Sequence, residues 1–221
     1  MCGRFILDAN PELIETYFEL DHPAPPFQTS YNIPPASDVP VVWQMPDDGR
    51  ACSIMHWGLI PHWAKTSTSK YKMINAKAET LAEKPAFKKA YQQRRCLIPT
   101  TGFYEWHATA QGKQPYFIGL KDHGLFAFAG LWEYWEGEHT INSFTIITTV
   151  ANHQLAEIHE RMPVIIEPEN FSRWLNPENQ DTDKLNALLL PTETGNFQLY
   201  PVGTEVNNPR HDIPDLITPL L

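Results

Sequence analysis

Apolar residues fall at helical spacing at Leu13, Ile14, Tyr17 and Phe18, behind a Pro11 suited to a first helical turn and an Asp8 or Asn10 able to cap it. Residues 22–36 are proline-rich and read as loop, ending in Tyr31-Asn32-Ile33-Pro34-Pro35. The stretches 40–45 and 51–57 predict a strand pair around an Asp47-Asp48-Gly49 turn. After Trp57-Gly58-Leu59-Ile60-Pro61-His62-Trp63 comes a polar loop over 64–70, and Pro85 can open a helix carrying Phe87, Ala90 and Tyr91. From Cys96 to Thr149 the pattern is mostly strand, over 96–99, 102–108, 115–120, 125–134 and 142–149. Turn signals at Lys113-Gln114, Asp122-His123-Gly124 and Glu136-Gly137 divide these runs. Short helices are predicted over 152–158, 168–175 and 181–190, with a last strand near 197–202. The pattern predicts a single α+β domain over residues 1–221, with a curved, mostly antiparallel, barrel-like sheet flanked by short helices.

Composition adds boundaries. Hydrophobic residues at 42% and charged residues at 19% exclude a disordered chain. Twenty prolines against eleven glycines point to rigid turns between short elements. No apolar run is long enough for a membrane span, and no basic segment followed by an apolar stretch marks a secretory signal. Three scattered cysteines, Cys2, Cys52 and Cys96, predict reduced thiols and a cytoplasmic location, with no structural zinc. The net charge of −9 argues against a nucleic-acid partner, yet residues 65–95 hold nine basic and two acidic side chains. Such a segment is either the footprint of a polyanion or a solvated helix face.

Candidate chemistry is sparse and specific. P-loop, dinucleotide, zincin and serine-hydrolase motifs are missing, and the nine histidines do not fall at zinc-ligand spacings. Cys2 follows the initiator methionine and is small enough for Met1 to be removed. The mature chain would then begin with an α-amine and a thiol on one residue, groups that titrate near about 8 and about 8.5 when unperturbed. Such a 1,2-aminothiol condenses with an aldehyde to a Schiff base that the sulfur closes to a thiazolidine; the alternative is a small buried hydrophobe. Arg4 offers a fork for a carboxylate or phosphate. Strand geometry would set Asn75, Lys77 and Glu79 on one face, although the same run suits a capping turn before a helix. Glu105 sits among Phe103, Tyr104 and Trp106, a setting that raises a carboxyl's pKa toward general acid–base use, unless Arg4 or Arg95 pairs with it. His159 and Arg161 leave a helix into a proline turn, one able to move protons, the other to clamp a phosphate.

Taken in order, these segments resemble one family over nearly the whole chain, the SOS-response-associated peptidase (SRAP) family of abasic-site processing proteins. The resemblance rests on Met1-Cys2-Gly3-Arg4, Tyr31-Asn32-Ile33-Pro34-Pro35, Trp57-Gly58-Leu59-Ile60-Pro61 and Asn75-Ala76-Lys77-Ala78-Glu79-Thr80. It continues through Arg95-Cys96-Leu97-Ile98-Pro99, Gly102-Phe103-Tyr104-Glu105-Trp106, Ala129-Gly130-Leu131-Trp132-Glu133, Thr148-Thr149, Ile158-His159-Glu160-Arg161-Met162-Pro163 and Pro201-Val202. It implies that Cys2 joins the ring-opened aldehyde of an abasic site in single-stranded DNA through a thiazolidine, which shields the lesion from strand breakage. Glu105 and His159 would move protons and Asn75 would hold the opened sugar. Arg4, Lys77 and Arg161 would neutralise phosphates, with Asn32, Thr148 and Thr149 donating to the DNA backbone. Trp106, Pro34 and Trp63 would stack on or wedge between bases. Lys77 stands where the family usually has arginine, so a two-pronged phosphate contact becomes a point-charge contact.

The resemblance implies no cofactor, no metal and no membrane. It implies a cytoplasmic, in a bacterium nucleoid-associated, location, with the replication machinery a candidate partner. Three other functions stay open. Cys2, His159 and Glu105 could form a thiol peptidase that removes the residue before Cys2. An N-terminal-nucleophile amidotransferase also begins Met-Cys-Gly, although the arginine and basic segment that follow weigh against it. Finally, the domain could bind single-stranded DNA with an inert Cys2.

Overall fold

The computed structural model describes residues 2–46, 49–67, 73–192 and 196–220. Three apolar residues in a row form the first strand (β1, Phe5–Leu7), buried on both faces. Helix α1 (Pro11–Phe18) follows as its pattern requires, with the Asn10 carboxamide oxygen accepting from Leu13 N–H at 2.9 Å and Ile14 and Phe18 turned inward. The proline-rich loop is not wholly loop, because Ser30–Ile33 forms β2 against β1. Strands β3 (Asp38–Gln44) and β4 (Arg50–Trp57) are antiparallel; the Asp47-Asp48 part of their turn lies outside the described residues, as does 68–70 of the polar loop.

The short strand β5 (Asn75–Lys77) ends in a 3-10 turn over Ala78–Thr80, so the strand alternation stops before Glu79. Helix α2 (Pro85–Gln93) buries Phe87, Ala90 and Tyr91. Five long strands come next: β6 (Arg95–Thr100), β7 (Gly102–Thr109), β8 (Gly112–Leu120), β9 (Phe126–Glu136) and β10 (Thr140–Val150). Helix α3 (His153–Ala156), β11 (Arg161–Pro163), α4 (Phe171–Leu175), α5 (Thr182–Ala187) and β12 (Phe197–Pro201) complete the regular elements. None of these helices is long and apolar enough to cross a membrane.

Strand β10 binds β9 on one side and β4, in parallel, on the other. The path from β4 through β3, β6 and β9 returns to β10, so five strands close into a ring. Strands β5 and β11 extend the far end of β10, opposite Ile146–Thr148 and Thr148–Val150. A second antiparallel sheet, ordered β12-β8-β7-β1-β2, lies against the ring. Phe5 and Phe103 meet Phe128 of the ring edge-on, with centroids 6.1 Å and 5.6 Å apart.

The period of two decides which side chains reach the seam between the sheets. Phe5 and Phe103 face the ring, whereas Ile6 and Tyr104 join Phe117, Val202, Val206 and Leu216 in a smaller cluster under the C-terminal segment. Glu105 therefore shares the ring-facing side with Phe103, and Trp106 faces away. A Cβ on Gly102 would lie 2.5 Å from the Phe117 ring, so glycine there lets β7 take the register that aims Glu105.

Candidate functional site

The antiparallel register pairs Phe5 with Phe103 and Ile6 with Gly102, and Tyr104 N–H still donates to the Arg4 carbonyl at 3.0 Å. Carried one step further, that register sets Gly3 beside Glu105, with Cys2 the next residue along. Cys2 is buried at the seam, and Asn75 on β5 donates from Nδ2 to its carbonyl oxygen at 2.8 Å. The other end of that carboxamide, Asn75 Oδ1, is buried with no hydrogen-bond partner among the described residues. It is an acceptor left for something else.

Burial pushes the Cys2 thiol above its ordinary pKa, and the charge of Glu105 pushes in the same direction. Cys2 is thus held as a thiol, close to the Glu105 carboxyl. Glu105 is 3% exposed, and burial raises its own pKa, with the charge of His159 among the influences drawing it back. Arg4 and Arg95, the candidate structural partners of Glu105, are committed elsewhere. Arg95 is buried, donating to the carbonyls of Tyr91, Gln92, Trp174, Asn176 and Asn179.

His159 leaves the turn after α3, where Asn152 caps the helix by accepting from Leu155 N–H at 3.0 Å. Arg161 N–H donates to His159 Nδ1 at 2.9 Å, and the Arg161 carbonyl lies 3.2 Å from the same nitrogen. Strand pairing thus collects Cys2, Asn75, Glu105 and His159 from four separate segments. The arrangement offers a thiol, two groups able to exchange protons and an open carboxamide acceptor in one place.

The residues expected to touch DNA divide into two groups. Lys77 is exposed at the end of β5, and Trp63 is 58% exposed after the Leu59–Met73 bridge. Trp106 is half-buried, donating from Nε1 to Asn207 Oδ1 at 2.7 Å, and Pro34 lines a cavity of about 480 Å³. By contrast, Arg4 donates to Asn32 Oδ1 at 2.6 Å and to the Val206 carbonyl at 2.8 Å. Asn32 is buried and donates to the carbonyls of Val206, Asn208 and His211, so both side chains tie the C-terminal segment to β2. Thr148 and Thr149 are buried too; Thr149 borders a cavity of about 530 Å³ shared with Glu79 and Leu190. Arg161 is held by Glu79 through two bonds of 2.6 Å and 2.9 Å, and by the Thr148 carbonyl at 2.6 Å.

Two features escaped the sequence. The Arg4–Asn32 link spans 28 positions and the Glu79–Arg161 pair spans 82, and neither leaves a local signal. The basic segment is also less basic than it reads. Arg95 is internal, and Arg94 pairs with buried Glu133 at 2.8 Å. No group of three or more His, Cys, Asp and Glu side chains able to hold a metal occurs among the described residues.

The sequence profile of the family described as SOS response associated peptidase (SRAP) matches residues 1–209. The chain is 43% identical over 223 residues to the abasic site processing protein YoqW of Bacillus subtilis (strain 168), covering 98% of this chain and 99% of that one. It is 32% identical over 227 residues to the abasic site processing protein HMCES of Xenopus tropicalis, covering 88% of this chain and 67% of that one. A solved protein of Bacteroides thetaiotaomicron superposes with a TM-score of 0.87 at 26% identity over 100% of both chains.

Proposed function

The chain belongs to the SOS response associated peptidase family, and from that premise we propose that it processes abasic sites in single-stranded DNA by covalent capture on Cys2. The observation that carries this reading is the meeting of Cys2 with Glu105, His159 and Asn75 at the seam between the sheets.

Once Met1 is removed, the free α-amine of Cys2 attacks C1′ of the ring-opened sugar. The aldehyde oxygen takes up a proton and a carbinolamine forms. A second proton, from Glu105 or His159, lets that hydroxyl leave as water and gives the Schiff base. The Cys2 sulfur then adds to the carbon of the protonated Schiff base as its proton returns to the Glu105 carboxylate, leaving a neutral ring nitrogen. The balance is one aldehyde plus one aminothiol giving one thiazolidine and one water. A carboxyl whose pKa burial has raised suits both halves of this exchange, because it keeps its proton to higher pH than an ordinary glutamate and accepts one more readily. Holding the aldehyde beside the aminothiol makes the encounter intramolecular. Asn75 fixes the Cys2 carbonyl with Nδ2 and presents Oδ1 to a sugar hydroxyl.

Lys77 and Trp63 are the exposed groups best placed to meet phosphate and base directly. Arg4 and Asn32 support the chain on which Cys2 sits. The thiol peptidase reading needs a thiolate stabilised by its surroundings, and the upward push on the Cys2 thiol weighs against it. Removal of Met1 by the chain itself is the part of that reading compatible with the capture site.

The test is a denaturing gel of the Met1-free protein with single-stranded DNA carrying one abasic site. A covalent band with the abasic strand, none with the intact strand and none with Cys2→Ala is the expected result. Equal binding to both strands with no covalent band would leave a plain binding module.

A further inference from the structure

Arg161 and Lys77 are the two cations at this end of β10 that capture of a DNA strand would use, and one carboxylate binds the first and feels the charge of the second. Glu79 grips the Arg161 guanidinium through both oxygens, at 2.6 Å and 2.9 Å, in the fork-to-fork geometry that a phosphate would adopt. Its pKa is held below the usual carboxylate range first by the hydrogen bonds from Arg161, and the charge of Lys77 acts in the same direction. The Arg161 side chain is 10% exposed and that of Glu79 48%, so the carboxylate lies on the solvent side of the guanidinium. A phosphate approaching from solvent meets Glu79 first. The other contacts of the Arg161 guanidinium among the described residues are inward, to the Thr148 carbonyl at 2.6 Å and the Thr148 hydroxyl at 3.4 Å, and keep it in place without Glu79. Beside Glu79 the cavity of about 530 Å³ gives its side chain somewhere to move.

We propose that Glu79 is a resident phosphate mimic, occupying Arg161 until the backbone of a bound strand displaces it. This rests on the DNA reading above and adds a specificity device to it. Undamaged single strands must displace Glu79 at the expense of their binding, whereas a lesion that goes on to react with Cys2 is retained by the covalent bond. The exchange is a competition between two anions for one cation, with no net bond lost, so its effect belongs in affinity and salt dependence.

The experiment measures binding of an undamaged single-stranded oligonucleotide by fluorescence anisotropy at two salt concentrations. Glu79→Gln is expected to bind about threefold to tenfold more tightly than the parent, with a log–log salt slope steeper by up to about 0.7, because in the parent the displaced carboxylate takes a cation back from solution. Glu83→Gln removes the same charge one turn away, at an exposed position on the rim of the same cavity, and is expected to change affinity by less than about twofold. In an Arg161→Gln background the Glu79→Gln gain should vanish. Glu79→Asp keeps the charge and shortens the reach; it is expected to gain an intermediate amount, and replaces Glu79→Gln should the amide variant not melt cooperatively. A gain no larger than that of Glu83→Gln, or one that survives without Arg161, overturns the proposal. The abasic strand is run with the same proteins: a parent that crosslinks while Glu79→Gln gains nothing refutes only the Glu79 role, and a gain in a parent that never crosslinks refutes only capture.

Discussion

In the proposed capture, Glu105 serves two opposed requirements. Burial keeps its carboxyl protonated to higher pH than an ordinary glutamate, which suits an acid that must give up a proton and recover it. The same burial costs stability when the group ionises. Its folded pKa lies above its unfolded one, so the stabilising contribution is complete below the ordinary glutamate range and is lost as pH rises through the folded value. Glu105→Gln removes that loss. Scanning calorimetry should find its Tm above the parent's by a margin that widens from about pH 5 to about pH 8, while crosslinking slows by about 100-fold or more. A margin that does not change with pH would mean that the carboxyl does not titrate abnormally. Glu105 was legible in the sequence because an ionisable group in a strand of aromatics is costly without a reason. Cys2 was legible as a candidate because an α-amine and a thiol would share one residue once Met1 is removed. The roles of Glu79 and Asn32 were not, because each depends on a partner brought from far along the chain.

At the scale of elements, the long strands and capped helices were readable because β-branched and aromatic runs, and a cap followed by proline, are local signals. The strands β1, β5 and β11 are three residues each, too short for alternation to register, and β2 lies within a proline-rich loop. These are the elements that position Cys2, Asn75 and Arg161, so the site was legible as a set of residue types and not as a place. Asn32 on β2 holds the C-terminal segment through three carbonyls while accepting from Arg4. Asn32→Ala leaves those buried groups without partners, and a loss of about 2–4 kcal/mol is expected from its urea midpoint. Limited proteolysis should also open the chain within 204–212 before the ring. A variant that melts like the parent and resists cleavage there would show that β2 anchors that segment by packing alone.

Across the whole molecule, a closed ring and a second sheet meet along one seam, and the chain's first residues run into it. A net charge of −9 fits an acidic body that leaves DNA contact to a few placed cations, and the diversion of Arg94 and Arg95 to internal partners sharpens that contrast. The α+β class with a curved, mostly antiparallel sheet followed from pattern alone; closure of the ring did not, because it depends on β10 pairing in parallel with β4. The central claim is that Cys2 uses nitrogen and sulfur together, and the intact mass of the crosslinked species, taken with and without borohydride, tests it most directly. The account predicts Met1-free protein joined to the abasic strand with one water lost and no reductant needed, whereas Cys2→Ala, which keeps its amine, is trapped only when borohydride reduces the Schiff base. A parent crosslink that requires borohydride, or one that retains Met1, would contradict it.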